Sequence, residues 1–266
     1  MGGSRRMSRT GGKAMRTTMI LTAALLAVSP AGAQAQRADV AAAVASSGRP
    51  ADAVKLDASR RPAEVLTFMG LKRGAMALDL FAGSGYYTEI IAKAVGPKGG
   101  VLAWDPAGFV NGDAKKNWAG LKTRAPNSGW FYTPASGLSL PSATFDFAML
   151  HLNYHDTYWE SAKYNFPRMD PAAFLRTVFQ AMKPGGTVAV IDHVANAGGD
   201  PREVAEKLHR IGPAVVRRDF EAAGFVLDGQ SNLLANPADD HSKEVFDPSI
   251  RGKTDRLAYR FKKPRR

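Results

Sequence analysis

Residues 75–106, AMALDLFAGSGYYTEIIAKAVGPKGGVLAWDP, decide the fold of this chain. The apolar run at 76–81 predicts a buried strand. Residues 86–95 then carry apolar side chains at helical spacing, and Gly96 and Pro97 end that helix. Residues 101–104 predict a second strand, which is followed by Asp105. A strand, a glycine turn, a helix and a second strand in this order build a nucleotide pocket above the carboxyl ends of parallel strands.

Strands and helices continue to alternate along the rest of the chain. Further strands are predicted at 130–133, 146–152, 187–191, 225–228 and 257–261, and helices at 62–69, 171–182, 202–211 and 213–223. This alternation predicts an α/β fold with a doubly wound, mostly parallel sheet. We expect a single domain over 36–266, in which 36–58 form an N-terminal extension. The polar segment 236–253 is long for a connection and predicts a lid or an insertion.

The first 35 residues have the three parts of a signal peptide. A basic region without acidic residues runs to Arg16, an apolar run occupies 19–28, and small residues end at Ala35, where we expect cleavage. The apolar run is shorter than the roughly 20 residues that span a bilayer. The sequence therefore predicts export, to the periplasm of a bacterium, with no transmembrane segment after cleavage.

Composition narrows the possible chemistry. The chain has no cysteine, which excludes disulfides, thiolate metal sites and cysteine nucleophiles. Its formal net charge is +12, and part of that surplus lies in the leader and in the basic C-terminal tail. Such a tail attracts nucleic acid or anionic lipid in some proteins, but a solvated tail is the simpler interpretation. The sequence makes no strong case for nucleic acid and leaves the oligomeric state open.

The glycine turn and two acids form the predicted cofactor site. Gly83 and Gly85 let a ligand approach the backbone, because glycine has no Cβ and tolerates positive φ. Asp105 follows the second strand, where a carboxylate accepts hydrogen bonds from a ribose diol. Asp79 lies at the end of the first strand, where it holds the turn or a cation. A dinucleotide fingerprint would require glycine at position 88, where the chain has Thr88.

These motifs resemble those of the class I S-adenosylmethionine-dependent methyltransferases. LDLFAGSG at 78–85 is similar to their first motif, FDFA at 145–148 to the entry of their fourth strand, and MKPGG at 182–186 to the turn before their fifth. FAGSGYYTEI, NYHD and IRGKTDR are similar to a bacterial group of predicted methyltransferases that often carry signal peptides. The resemblance covers about residues 62–261.

The resemblance implies a seven-stranded sheet with a final antiparallel strand, S-adenosylmethionine as cofactor, and methyl transfer to a small-molecule acceptor. Phe81 joins the cofactor-binding set through the first motif, although it stands where that motif usually has its first glycine. Residues 133–136, TPAS, lack the acid that often contacts the adenine amino group.

Candidate catalytic residues follow the fourth and fifth strands, whose carboxyl ends share one edge with the glycine turn. His155 is the predicted general base, because the ordinary pKa of histidine lies near neutrality, and Asp156 is predicted to orient it. His151 is a third candidate, with a packed structural histidine as the alternative. A metal site formed by these residues and His193 would need helical backbone between His151 and His155, so we assign no metal.

Two alternatives to methyl transfer remain open at this point. The first is an exported binding module that has a methyltransferase-like fold and catalyses no reaction. The second is a nucleotide-dependent oxidoreductase, which the residue at position 88 disfavours.

Overall fold

The computed structural model describes residues 1–3 and 36–265. Residues 36–265 belong to one compact unit. Apart from residues 1–3, the predicted signal peptide lies outside the described residues. Among those described, no helix is long and apolar enough to cross a membrane.

Seven strands form one sheet. They are β1 (Met76–Leu80), β2 (Gly100–Pro106), β3 (Ser128–Thr133), β4 (Phe145–His151), β5 (Met182–His193), β6 (Val226–Gln230) and β7 (Arg256–Lys262). Their order is β3-β2-β1-β4-β5-β7-β6. The first five strands pair in parallel, and β7 runs antiparallel to both of its neighbours. The predicted fold class is therefore confirmed.

Nine α-helices are present in the described part of the chain. They are α1 (Val40–Val44), α2 (Ala51–Lys55), α3 (Asp57–Arg60), α4 (Pro62–Met69), α5 (Tyr86–Val95), α6 (Gly112–Arg124), α7 (Pro171–Ala181), α8 (Pro201–Leu208) and α9 (Pro213–Ala222). The sequence did not predict α6, in which only Trp118 and Leu121 are buried. Asn111 begins this helix by accepting a hydrogen bond from the Ala114 amide at 2.9 Å.

The helix predicted at 202–211 ends earlier than expected. His209 has a φ of 51° and stops α8. The next two residues form tertiary contacts that a continued helix would not allow. Arg210 forms a buried ion pair with Asp239 at 2.9 Å, and the Ile211 amide donates to the His193 carbonyl at 2.9 Å. The early end places the His209 ring beside the carboxyl edge of the sheet, where it contacts residues that follow β4.

The core has two layers, one on each face of the sheet. Alternate residues of β1 enter opposite layers: Ala77 packs with α1, α4 and α5, whereas Leu78 and Leu80 pack with α7 and α9. Strand β1 lies between β2 and β4, so the connections from β1 and from β3 run in opposite directions along the sheet. A doubly wound sheet opens a crevice at this reversal, above the carboxyl ends of its strands.

Candidate functional site

A cavity of about 690 Å³ lies in this crevice. Its walls come from the turn after β1, the end of β2, the segment after β4, the end of β5 and two later parts of the chain, His209 and residues 244–246. The predicted insertion at 236–253 thus supplies one wall. This volume is within the range of small-molecule and cofactor sites.

The turn after β1 is held in left-handed backbone at three positions. Phe81, Gly83 and Gly85 have φ values of 54°, 59° and 78°. Phe81 therefore adopts the conformation that a glycine would, which costs a non-glycine residue about 1–2 kcal/mol. Its ring packs edge-on to Trp104 at 4.9 Å between centroids and against Phe174 at 5.8 Å. These contacts hold the strained residue in place.

The two glycines of the turn face different surroundings. A Cβ on Gly83 would meet no atom within 4 Å, so its backbone is open to the cavity. A Cβ on Gly85 would lie 2.3 Å from Leu121 Cδ1. Gly83 therefore leaves room for a ligand, and Gly85 leaves room for α6.

Asp105 is joined to the turn through its carboxylate. Oδ1 accepts from the Gly83 amide at 2.8 Å, and Oδ2 accepts from Trp130 Nε1 at 2.9 Å. Trp118 stacks on Trp130 at 5.0 Å and donates its own Nε1 to the Gly83 carbonyl at 3.0 Å. A carboxylate has about four acceptor positions, so two remain for a ribose diol. Sequence reasoning missed both tryptophans, because neither belongs to a recognisable motif.

Burial sets the protonation of the two acids near the turn. It raises the pKa of Asp105 to about 6, although hydrogen bonds from Gly83 and Trp130 oppose it. Burial also raises the pKa of Asp79 to about 7, against the hydrogen bond that Asp79 Oδ2 accepts from the Thr88 hydroxyl at 2.5 Å. Asp79 thus tethers the first turn of α5, and it also lines the cavity.

Two buried polar atoms in the cavity wall lack a hydrogen-bond partner among the described residues, His151 Nε2 and Asn153 Oδ1. Asn153 donates its amide to the carbonyls of Leu80 and Phe81, at 3.3 and 3.0 Å, which leaves its oxygen free to accept. Burial lowers the pKa of His151 well below its ordinary value, so the ring is neutral. Buried polar atoms are normally paired, which makes these two candidates for contact with a ligand.

His155 begins a short 3₁₀ turn, which three residues separate from the end of β4, and is anchored by Asp192. Asp192 accepts from the backbone amide of His155 and contacts its Nδ1, both at 2.8 Å. The 3₁₀ turn also brings Asp156 Oδ1 to within 3.4 Å of His155 Nε2. Burial lowers the pKa of His155, but the carboxylates of Asp192 and Asp156 outweigh it and raise the pKa to about 9.

His209 completes this group of charged and polar side chains, although the sequence offered no sign of it. Its Nδ1 lies 4.0 Å from Asp156 Oδ1, and its ring is flanked by Trp159 and Phe246 at 5.2 and 5.1 Å. Burial and the nearby His155 lower the pKa of His209 to about 4.

Arg60 lies in the cavity wall near the glycine turn, and the sequence analysis did not single it out either. Its guanidinium stacks on the Tyr86 ring at 4.4 Å and donates no hydrogen bond to any residue that the structure describes. A guanidinium in this position is suited to an anionic group of a ligand.

Sequence comparisons find no match: no family model fits the chain, and no curated protein matches it. Solved structures do match. A methyltransferase dependent on S-adenosylmethionine from Aquifex aeolicus is 24% identical, with a TM-score of 0.55 over 80% of this chain and 97% of that one. The 1,6-didemethyltoxoflavin-N1-methyltransferase of Burkholderia thailandensis, solved with S-adenosylhomocysteine bound, is 19% identical, with a TM-score of 0.53 over 78% and 79%.

The cyclase SpnF is also similar, at 17% identity and a TM-score of 0.54 over 78% of this chain and 82% of that one. The chain therefore has the fold of the class I methyltransferases. Because a cyclase has a similar structure, the activity of this chain has to be argued from its own site.

Proposed function

We propose that this protein binds S-adenosylmethionine in the cavity and transfers its methyl group to a small-molecule acceptor. The observation that carries the proposal is that Gly83 and Asp105, joined by a hydrogen bond, both line a cavity of about 690 Å³. The structural likeness to methyltransferases supports it.

The residues present fit the donor molecule part by part. Asp105 has acceptor positions for the two ribose hydroxyls, and Gly83 lets the nucleoside approach the backbone. Arg60 offers a cation for the carboxylate of the methionine moiety, and Asn153 Oδ1 offers an acceptor for its ammonium group. S-adenosylmethionine supplies an electrophilic methyl group and leaves as S-adenosylhomocysteine. The protein has to hold the acceptor in line with that methyl group.

The acceptor binds, in this proposal, at the end of the cavity lined by His151, His155 and Asp156. His151 presents a neutral ring with a buried Nε2 that has no partner in the described chain, so it can accept a hydrogen bond from an acceptor hydroxyl, amine or thiol, although its lowered pKa makes it a weak base. His155 and Asp156 remain our predicted acid/base pair; because the carboxylates raise the pKa of His155 to about 9, this histidine is protonated near neutral pH and would take part as the acid. The contact with Asp192 fixes the orientation of the His155 ring.

The cofactor assignment is tested by calorimetric titration with S-adenosylhomocysteine, with NAD⁺ as the comparison nucleotide. We expect saturable binding of the first only. Asp105→Asn should weaken it about tenfold, because the amide cannot accept from Gly83 and Trp130 and from a diol as well. Asp113→Asn, on the exposed start of α6, is the matched control. Equal affinity of the Asp105→Asn variant and the unmodified protein would remove the ribose role.

The second candidate is an exported binding module with the same pocket and no turnover. Export itself remains a proposal based on the leader, and the bacterial periplasm is not expected to supply S-adenosylmethionine. Labelled methyl transfer to a panel of small hydroxyl, amine and thiol acceptors separates the two functions. Binding without transfer would favour the module. Native mass spectrometry of protein from its own compartment would report cleavage after Ala35 and any bound ligand.

A further inference from the structure

Three side chains in the cavity form a cluster with the spacing of a metal site. His155, Asp156 and His209 each offer one ligand atom, and these atoms lie within 4.8 Å of one another. His155 Nε2 lies 3.4 Å from Asp156 Oδ1, and His209 Nδ1 lies 4.0 Å from the same oxygen. Two ligands of a tetrahedral Zn²⁺ are about 3.3 Å apart.

The hydrogen bonding of the cluster favours a cation over a purely structural network. The Asp156 side chain is only 15% exposed, yet its carboxylate accepts no hydrogen bond from any described residue. The ring nitrogens of His209 likewise have no hydrogen-bond partner in the described part of the chain. Among the described residues, the Asp156 side chain has only ionic contacts, with His155 and His209; a carboxylate and an imidazole that are mostly buried are costly to leave without hydrogen bonds, and both are natural ligands for one ion.

Asp192 supplies the support that metal-binding histidines normally have. It contacts Nδ1 of His155 at 2.8 Å and also accepts from that residue's amide, so the ring presents Nε2 to Asp156. A histidine held by a carboxylate on one nitrogen and directed at a metal with the other is a recurring arrangement in zinc sites. Asp192 itself is completely buried.

We propose that His155 Nε2, Asp156 and His209 bind one Zn²⁺ ion, with Asp192 positioning His155. Two imidazoles and one carboxylate are a donor set of catalytic zinc sites, in which a further position stays open to water or substrate. All three ligands line the cavity that contains Gly83 and Asp105, so the open position would face a bound small molecule. The proposal does not depend on the proposed methyl transfer, but with the ion bound His155 and Asp156 act as ligands and not as an acid/base pair.

This site differs from the metal set that the sequence suggested. His151 is the last residue of β4 and His155 the first of the 3₁₀ turn, so no helix joins them, and His151 is not part of the three-residue cluster. His193 is engaged with Thr254 Oγ1 at 2.7 Å. The structure instead brings in His209, which comes from the end of α8.

The test is a calorimetric titration of the protein with Zn²⁺, without a histidine tag and after treatment with a chelator, followed by metal analysis of the dialysed complex. We expect one Zn²⁺ per chain. His209→Asn and Asp156→Asn should each reduce the affinity at least tenfold, and Asp192→Asn should reduce it about 10–100-fold through loss of positioning. Replacing Zn²⁺ by Co²⁺ should give the visible absorption of tetrahedral cobalt, and His209→Asn should abolish it.

His241→Asn is the matched control. His241 is also a histidine with positive φ, but it is hydrogen bonded to Asn196 and Asp255 outside the cluster. Asparagine tolerates left-handed backbone, so both variants are expected to fold, and circular dichroism is the check. Failure of the unmodified protein to retain stoichiometric Zn²⁺ overturns the proposal. So does a His209→Asn variant that binds Zn²⁺ as tightly as His241→Asn does.

Discussion

Alanine at the two glycines of the turn should separate stability from ligand binding. In Gly85→Ala the new Cβ would lie 2.3 Å from Leu121 Cδ1 and 3.2 Å from Trp118 Cη2, where carbon atoms normally approach to about 3.5–4.0 Å. Left-handed backbone costs an alanine about 1–2 kcal/mol, and overpacking adds about 1–3 kcal/mol. We therefore expect Gly85→Ala to lower the free energy of unfolding by about 2–5 kcal/mol.

Gly83→Ala carries the same backbone cost of about 1–2 kcal/mol without the clash, because no atom of a described residue would lie within 4 Å of its Cβ. Its methyl group would instead occupy ligand space and should weaken S-adenosylhomocysteine binding at least tenfold. Urea unfolding measures the first effect and calorimetry the second. Equal destabilisation by the two variants would refute the packing argument, and unchanged affinity of Gly83→Ala would refute the ligand position.

Two further predictions concern charge in the cavity. Burial raises the pKa of Asp79 to about 7 and that of Asp105 to about 6, so their contribution to stability is complete below about pH 4 and is lost as pH rises through these values. Between about pH 5 and pH 8, the melting temperature of Asp79→Asn should therefore fall by less than that of the unmodified protein. An equal fall in both proteins would contradict this prediction. Arg60→Met should weaken binding of S-adenosylhomocysteine about tenfold but not that of methylthioadenosine, which has no carboxylate. Arg61→Met is the control, since its guanidinium contacts Glu64 at 3.0 Å, and an equal effect of both variants would exclude a specific role.

The nucleotide half of the site could be predicted because its signals are local. A glycine turn after an apolar strand and an acid after the next strand are features of short segments. The doubly wound sheet brings the ends of β1 and β2 together. Phe81, which stands where the motif usually has glycine, could not be interpreted from local sequence. Whether a phenylalanine tolerates left-handed backbone depends on Trp104 and Phe174, which come from other parts of the chain.

The histidine cluster could be predicted only in part. His155 and Asp156 are adjacent in sequence, but their side chains meet only because the backbone forms a 3₁₀ turn there. That turn lies in the loop after β4, and no sequence pattern predicts it. Asp192, which anchors His155, is 37 residues away. His209 joins the cluster only because α8 ends early, where Arg210 and Ile211 form tertiary contacts outside the helix.

The sequence by itself determined the α/β architecture and the open turn around Gly83, because strand periodicity and the φ preference of glycine act over a few residues. Only the tertiary structure decided which charged groups meet. It places β4 beside β5, so His155 reaches Asp192, and it leaves the side chains of Asp156 and His209 facing each other with no hydrogen bond to any described residue. Charged side chains interact according to their distance in space, and the number of residues between them in the sequence does not determine that distance.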